Sequence, residues 1–477
     1  MRVLVIAASA ALMAAGAAEA KGPAPAKITS PPVPPPVDQA LARDLLKELI
    51  EINSTHAHGS TVAAEAVAKR LREAGYAASD VQVLAPADHP TKGNTVVRLR
   101  GKGLGKPILF ICHLDVVEAK PEDWTVDPFK LIEKDGFFYG RGTSDIKGDD
   151  AALIESLIRM KREGFVPDRD IIVAFTADEE AQGDANGVDW LLKSHRDLVD
   201  ASIVFNPDSG GGGLLAGKRV SYGIQTSEKL YATFALDTVN RGGHSSLPRP
   251  DNAIYQLSHA LDRVEAYRFP LHVTATNRGY LQGNAELESG QTRADMLAVA
   301  AATPDPIAAD RLAKREDLNA LLRTTCVATQ LSGGHAENAL PQHAQAIVQC
   351  RLIPGETVEE TRQRLVAAIG DPEVKVSLTA PVKPSGETVP DPKVMARLEA
   401  TIHGMWPGVI ITPSMDAGAS DSVHSRAVGI PSYGTSSIWG DLDDVRAHGR
   451  DERIRIPQFY EGVEFTYRLM KAMSARE

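Results

Sequence analysis

Cysteine is scarce, with three in 477 residues: Cys112, Cys326 and Cys350. That excludes a disulfide-framework fold and a cysteine-built zinc site, and leaves one bridge open, Cys326 to Cys350, in an oxidising compartment. Cationic clusters are also missing. The chain carries 52 Lys and Arg against 62 Asp and Glu, a net charge of −10, with no block of basic residues; no nucleic-acid partner is expected on charge grounds. There is no internal repeat. Neither H-E-x-x-H nor G-x-S-x-G occurs, which counts against a single-zinc protease of that type and a serine hydrolase with a nucleophile elbow. The chain is 43% hydrophobic and 24% charged, as a globular protein of two or three domains is, and unlike a multi-spanning membrane protein, a fibre or a disordered chain.

The N-terminus reads as a processing signal. Residues 1–20, MRVLVIAASAALMAAGAAEA, hold one early Arg, an apolar Ala-rich run and an A-x-A site at Ala18-Glu19-Ala20, the three parts of a signal peptide. No Cys follows, so a lipoprotein anchor has no support, and no stable membrane insertion is expected after cleavage. Residues 21–37, with PPVPPP at 31–36, read as a Pro-rich linker. Export to the periplasm or the exterior of a bacterium is expected.

From residue 38 apolar periodicity divides the body. Helical spacing over 39–52, 60–75 and 151–160 alternates with strand-like runs at 94–99, 107–112, 170–177 and 201–206, two of them apolar almost throughout. That pattern predicts an α/β domain with a mainly parallel sheet. From about 227 it changes to an α+β pattern, with alternating strands at 230–236 and 344–352, helices at 251–266 and 357–369, a strand at 374–378 and a helical excursion over 280–325. Thr357 and Glu360 are spaced as a capping box. Strands at 407–412 and 430–433 resume the α/β pattern. The expected organisation is a catalytic domain of residues 38–226 and 385–477, interrupted by a smaller α+β domain, 227–384.

In parallel sheets ligands gather at the carboxyl ends of strands. His113-Leu114-Asp115 follows one apolar run, Asp178-Glu179-Glu180 the next and Asn206-Pro207-Asp208 a third, while Asp145 sits in GRGTSDIKG (140–148) and His448 lies far downstream. So many converging carboxylates repel unless some stay protonated or cations sit among them. Two imidazoles and three or four carboxylates suit two divalent metal ions: zinc first, manganese or cobalt as alternatives, with one carboxylate bridging. Asp115, two residues after His113 on a strand, is placed to orient the imidazole.

In order, HLDVV (113–117), GRGTSDIKG (140–148), ADEE (177–180), NPDSG (206–210), GGHSSLP (242–248) and HGRDERI (448–454) resemble the co-catalytic dizinc metallopeptidase family of glutamate carboxypeptidase, aminoacylase, carnosinase-like dipeptidases and succinyl-diaminopimelate desuccinylase. The resemblance implies that His113, Asp145 and Asp208 hold one zinc and Asp145, Glu180 and His448 the other. It makes Glu179 the general base and implies a cis peptide after Asp145. It also implies that the inserted domain is a lid and dimerisation domain, through which a homodimer forms and His244 of one subunit stabilises the oxyanion in the other. Asn338, Arg351, Gly418 and Ser420 match substrate-contacting positions, Arg351 being suited to a terminal carboxylate. Asp at 208 tilts the expected substrate toward small peptides (a dipeptidase or exopeptidase). An N-acyl amino acid amidohydrolase or a carboxypeptidase is the alternative, and a non-catalytic binding protein on the same fold the remote one.

Two Gly-rich segments are set aside. Gly212 to Lys218 has P-loop spacing, but Arg219 stands where the magnesium-binding hydroxyl belongs. GKGLGK (101–106) is expected to be a hairpin turn between two strands.

Overall fold

The computed structural model describes residues 30–180, 185–382 and 386–476; the signal-peptide segment 1–20 lies outside them. Helix α1 (Pro36–Glu51) begins inside the segment read as linker. Proline is suited to a first helical turn, and Asp38 is anchored there, its Oδ1 2.7 Å from Arg162 Nη2. Helix α2 (Thr61–Glu73) follows, then strands β1 (Val81–Leu84), β2 (Asn94–Leu99) and β3 (Ile108–His113). Helix α3 (Lys147–Arg162) leads to β4 (Ile171–Thr176), β5 (Ile203–Asn206), β6 (Gly211–Leu215) and β7 (Lys218–Glu228).

Every residue of β3 and β4 is buried, because helices cover both faces of the sheet. On one face Val97, Phe110, Val173 and Phe205 pack with α1, α2, α3 and the C-terminal helices. On the other, Val96, Leu109, Ile172 and Val204 pack with Val188, Leu191 and Ile430. The alternation of those numbers along each strand is the period of two that a strand imposes.

The segment GKGLGK is not a hairpin turn. The sheet order is β1-β2-β4-β3-β5: β4 lies between β2 and β3, antiparallel to the first and parallel to the second. The loop crosses the end of β4, where Lys102 and Leu104 N–H groups donate to the Pro167 and Asp168 carbonyls. Strands adjacent in sequence are not adjacent in space here, because β4, about 60 residues further on, lies between them.

The inserted domain starts at β8 (Leu230–Val239) and continues through α4 (Ala253–Ala266). A cluster of short helices follows: α5 (Ala275–Asn284), α6 (Gly290–Val299), α7 (Pro306–Leu312) and α8 (Glu316–Leu322). Strands β9 (Thr325–Gly333) and β10 (His343–Leu352), helix α9 (Val358–Ile369) and β11 (Lys375–Leu378) complete it. The four strands form an antiparallel sheet, β9-β10-β8-β11. Its inner face (Phe234, Leu236, Ala346, Val348) is covered by α4 and α9. Thr357 and Glu360 form the capping box at α9, and Gly370 closes that helix with φ +61°. Cys326 and Cys350 stand opposite each other on β9 and β10 and are disulfide-bonded.

The chain returns through α10 (Pro392–Met405), β12 (Ile410–Asp416), β13 (Ser432–Gly434), β14 (Trp439–Asp441) and α11 (Ile456–Ser474). These strands extend the first sheet to ten, with β13 parallel to β5, β12 parallel to β7 and β14 parallel to β6. The sheet is mixed, with a parallel centre, β4-β3-β5-β13, and both antiparallel and parallel pairs outside it. The excursion α5–α8 has its own small core around Leu281, Met296, Val299, Leu312 and Leu321. It lies against β12 because α5 carries glycines: a Cβ on Gly279 would sit 2.4 Å from Pro413 Cγ, and one on Gly283 2.2 Å from Thr412 Cγ2. Among the described residues no helix is long and apolar enough to cross a membrane.

Candidate active site

The parallel centre of the sheet brings its strand ends together. His113 is the last residue of β3, Glu179 and Glu180 follow β4, and Asp208 follows β5. Asp145 comes from the turn before α3, and its peptide to Ile146 is cis. His448 arrives from the loop before α11. The outcome is two groups of ligand atoms, His113–Asp145–Asp208 and Asp145–Glu180–His448, in each of which the atoms lie within 4.8 Å of one another. His113 Nε2 is 3.4 Å from Asp145 Oδ1 and 3.6 Å from Asp208 Oδ1. His448 Nε2 is 3.1 Å from Asp145 Oδ2 and 3.0 Å from Glu180 Oε2. Asp145 faces one histidine with each oxygen, as a bridging carboxylate must.

This donor set fits divalent cations. His113 Nδ1 lies 3.0 Å from the Asp115 carbonyl oxygen, so Nδ1 carries the proton and Nε2 the lone pair. That Nε2 is buried and makes no hydrogen bond. In the protein alone the charges settle otherwise. Burial pushes the Asp208 carboxyl up to about 7, and burial together with Asp208 pushes Glu179 well above the carboxylate range. Burial also acts on Asp145, but the neighbouring His113 and His448 imidazoles outweigh it and hold that carboxyl below its ordinary value. Asp145 and Glu180 raise His448 to about 10. A bound cation takes over the work of those protons.

Asp115 does not do what its position suggested. The His113 imidazole is oriented by the Asp115 backbone carbonyl, while the nearer carboxylate oxygen lies 3.9 Å from Nδ1. The carboxylate instead accepts from the backbone N–H groups of Glu179 (3.2 Å) and Glu180 (3.1 Å). It fixes the turn that carries the base and a ligand. Asp178, just before them, has φ +63°, a conformation that costs an Asp about 1–3 kcal/mol and needs support from around it. Lys92 and His56 bind its carboxylate, and Asn94 Oδ1 accepts from the Ala177 N–H at 2.9 Å.

Glu452 was not singled out in the sequence, although it lies in the HGRDERI block. Its Oε2 accepts from Arg141 Nη1 at 2.6 Å, and its Oε1 accepts from the N–H groups of Ser144 (2.8 Å) and Asp145 (3.1 Å) and from Ser144 Oγ (3.0 Å). It ties the bridging aspartate's backbone to the strand that follows the His448 loop.

The positions assigned to substrate divide. His244 is exposed; its Nδ1 accepts from the Ser246 N–H at 3.2 Å, which leaves the other nitrogen as a donor. Asn338 is beside it, its carbonyl accepting from the Ser245 N–H at 3.1 Å. Neither belongs to the metal-ligand groups of its own chain. Arg351 stacks on Tyr231, guanidinium carbon 4.6 Å from the ring centre, with no carboxylate partner among the described residues. Gly418 is exposed, with open space where a Cβ would be. Ser420 is buried, and its N–H and Oγ both donate to Glu228 Oε2, at 2.6 and 2.9 Å. It holds a buried carboxylate that also pairs with Arg426, and is not free to meet substrate.

The fold and the ligand groups define a metal-dependent hydrolase of amide bonds. The model of Peptidase family M20/M25/M40 matches residues 109–472. The chain belongs to that family. It is 30% identical over 377 residues to the N-fatty-acyl-amino acid synthase/hydrolase of Xenopus tropicalis, covering 76% of this chain and 72% of that one. It is 28% identical over 387 residues to the Dictyostelium discoideum protein named "Probable carboxypeptidase S-like 2", covering 77% and 71%. Human carnosine dipeptidase 1 superposes with a TM-score of 0.62 at 17% identity, over 92% of this chain and 97% of that one. For the M20 metallo-carboxypeptidase of Sulfolobus solfataricus the values are 0.65, 17%, 91% and 99%.

Proposed function

We propose that the chain is an exported, homodimeric two-zinc exohydrolase that cleaves the amide bond of small peptides. The observation that carries this reading is that two ligand groups share Asp145 while Glu179, next to the ligand Glu180, belongs to neither. Two imidazoles among carboxylates favour zinc, which manganese or cobalt can replace. Bound there, the two cations supply Lewis acidity to the scissile carbonyl and acidify the attacking water. Glu179 takes the water's proton and passes it to the leaving amine, and the Asp115 carboxylate keeps its backbone in place. A second reading, hydrolysis of N-acyl amino acids or C-terminal residues, is favoured by the names of the two relatives above. Both readings place a carboxylate on the leaving amine, which the unpaired guanidinium of Arg351 suits.

The homodimer is supported by β9, an edge strand exposed from Val327 to Gly333 with Val327 58% and Leu331 70% exposed, since an open strand edge invites a second copy. His244, whose free ring nitrogen is a donor on an exposed turn, is then available to an oxyanion in the partner. The cross-strand disulfide supports export. The test is a panel of dipeptides and N-acyl amino acids with apo-protein reloaded with zinc, manganese or cobalt. Activity is expected to vanish on chelation and return with zinc. Glu179→Ala is expected to keep both zincs and lose about 10²–10⁴-fold in turnover. Hydrolysis that survives chelation or Glu179→Ala overturns the reading.

A further inference from the structure

The turn that carries Glu179 leaves β4 after Thr176 and is closed at its neck. The Gly187 N–H donates to the Ala177 carbonyl at 2.8 Å, and the Ala177 N–H to Asn94 Oδ1 at 2.9 Å. Only glycine fits there: a Cβ on Gly187 would sit 1.9 Å from Asn94 Oδ1 and 2.7 Å from the Ala177 nitrogen. A further contact comes from far along the chain. Asp421, 4% exposed, accepts from Thr176 Oγ1 at 3.3 Å with one oxygen and from Asn186 Nδ2 at 2.6 Å with the other. Asn186 is also the N-cap of the helix Gly187–Ser194, its Oδ1 accepting from the Asp189 N–H at 3.0 Å. One carboxylate thus joins the end of β4 to the start of the next helix, and the base stands between those two points in sequence.

Asp421 belongs to neither ligand group. Among the described residues no Lys or Arg pairs with it, and His424 Nε2 lies 3.8 Å from its Oδ1. A buried carboxylate is costly unless it is well bonded, and both oxygens of this one go to the two ends of the base-bearing segment. It is also close to the site. Burial, then Asp208, push Glu179 up, and burial, then Asp145, push Asp208 up; the charge on Asp421 adds to both. Its neighbours hold the next ligand turn. The Ser420 and Ser422 hydroxyl oxygens accept from Asn206 Nδ2 at 3.3 and 3.1 Å, and Asn206 Oδ1 accepts from the Asp208 N–H at 3.0 Å. Strand β3, which ends in His113, lies between β4 and β5, so the segment Ser420–Ser422 ties together the strands on either side of that ligand.

We propose that Asp421 is a positioning residue for Glu179: by clamping Thr176 to Asn186 it fixes the turn on which the base stands. The proposal rests on the amide-hydrolase reading above and adds a residue to it. Asp421 lies outside the ligand groups and acts through the base, so turnover depends on it and substrate binding does not.

The experiment is kcat and KM of the zinc-loaded protein for the dipeptide or N-acyl amino acid it cleaves best, with bound zinc measured beside them. Asp421→Ala is expected to keep both zincs and its KM and to lose about 10–100-fold in kcat, the scale of a misplaced catalytic group. In the Glu179→Ala background the same change is expected to cost less than about twofold, because groups that act as a unit are not additive. Asp421→Asn is expected to restore most of kcat. Its amide oxygen can accept from Asn186, and its nitrogen can donate to the Thr176 hydroxyl, which has the Cys112 carbonyl 3.3 Å away as its own acceptor. Should Asp421→Ala fail to fold, Asn186→Ser keeps an N-cap and removes the amide that reaches Asp421; it is expected to lower kcat several-fold and to cost nothing further once Glu179 is gone. An unchanged kcat, a rise in KM in place of the loss, an equal loss with and without Glu179, or Asp421→Asn no better than Asp421→Ala overturns the inference and leaves the proposed function standing. Failure of the wild type to cleave any amide overturns both.

Discussion

Removing the Glu452 carboxylate should weaken the fold and the cation site together. In Glu452→Ala the Arg141 guanidinium, in which Nη1 sat 2.6 Å from the carboxylate, stays buried without its partner. Breaking a buried ion pair from one side costs about 3–5 kcal/mol. The Ser144 and Asp145 N–H groups lose their acceptor as well, and unpaired buried donors cost about 1–3 kcal/mol each where water cannot reach them. Some relaxation and hydration will offset this, so the expected loss is about 4 kcal/mol, read from urea unfolding of metal-free protein. Because Glu452 also holds the backbone of the bridging Asp145, zinc affinity should fall about 10–100-fold, read by competition with a chromophoric chelator. Glu452→Gln keeps an acceptor for the two N–H groups and loses only the charge opposite Arg141, so it should cost about half as much. If Glu452→Ala loses less than about 1 kcal/mol and binds zinc as the wild type does, the role given to this carboxylate is wrong.

Other perturbations act at a distance from the metals. The Cys326–Cys350 bridge spans 24 residues, and by the chain-entropy relation its loss costs about 3 kcal/mol; Cys326→Ala/Cys350→Ala should melt correspondingly lower and be insensitive to reductant, and equal melting temperatures would refute this. Glu155 sits on α3 with both carboxyl oxygens buried and unbonded, and burial, then Asp38, push its carboxyl up to about 8. The native state therefore holds a proton that the unfolded chain releases, so Glu155 makes the protein less stable as pH rises from about 5 to 8. Glu155→Met should gain on the wild type by about 1.4 kcal/mol per pH unit over that range; a difference that does not change with pH would refute the assignment.

What was legible in the sequence is what strand ends expose. His113, Glu180 and Asp208 each follow a buried apolar run, and at the carboxyl end of a parallel sheet such residues converge whatever the loops do. Asp145 and His448 follow no such run, and only the order of the motif blocks placed them. What was illegible depends on which atom of a residue does the work. The period of two put Asp115 near His113, but it does not say whether the carbonyl or the carboxylate meets the ring, and a two-residue offset let the carbonyl reach first. Ser420 is matched to substrate by resemblance alone, and nothing near it in the chain reveals its partner, Glu228, nearly two hundred residues away. GKGLGK looked like a hairpin because the inserted strand came later in the chain. Glu452 did leave a signal: it lies in the same motif block as His448, and a buried acidic residue is costly unless it holds something.

The most direct measurement is anomalous scattering at the zinc edge from a crystal of the zinc-loaded protein. The account expects two peaks about 3.5–4 Å apart, with one Asp145 oxygen on each, His113 and Asp208 on the first and Glu180 and His448 on the second. A single peak, or two peaks without Asp145 between them, would contradict it.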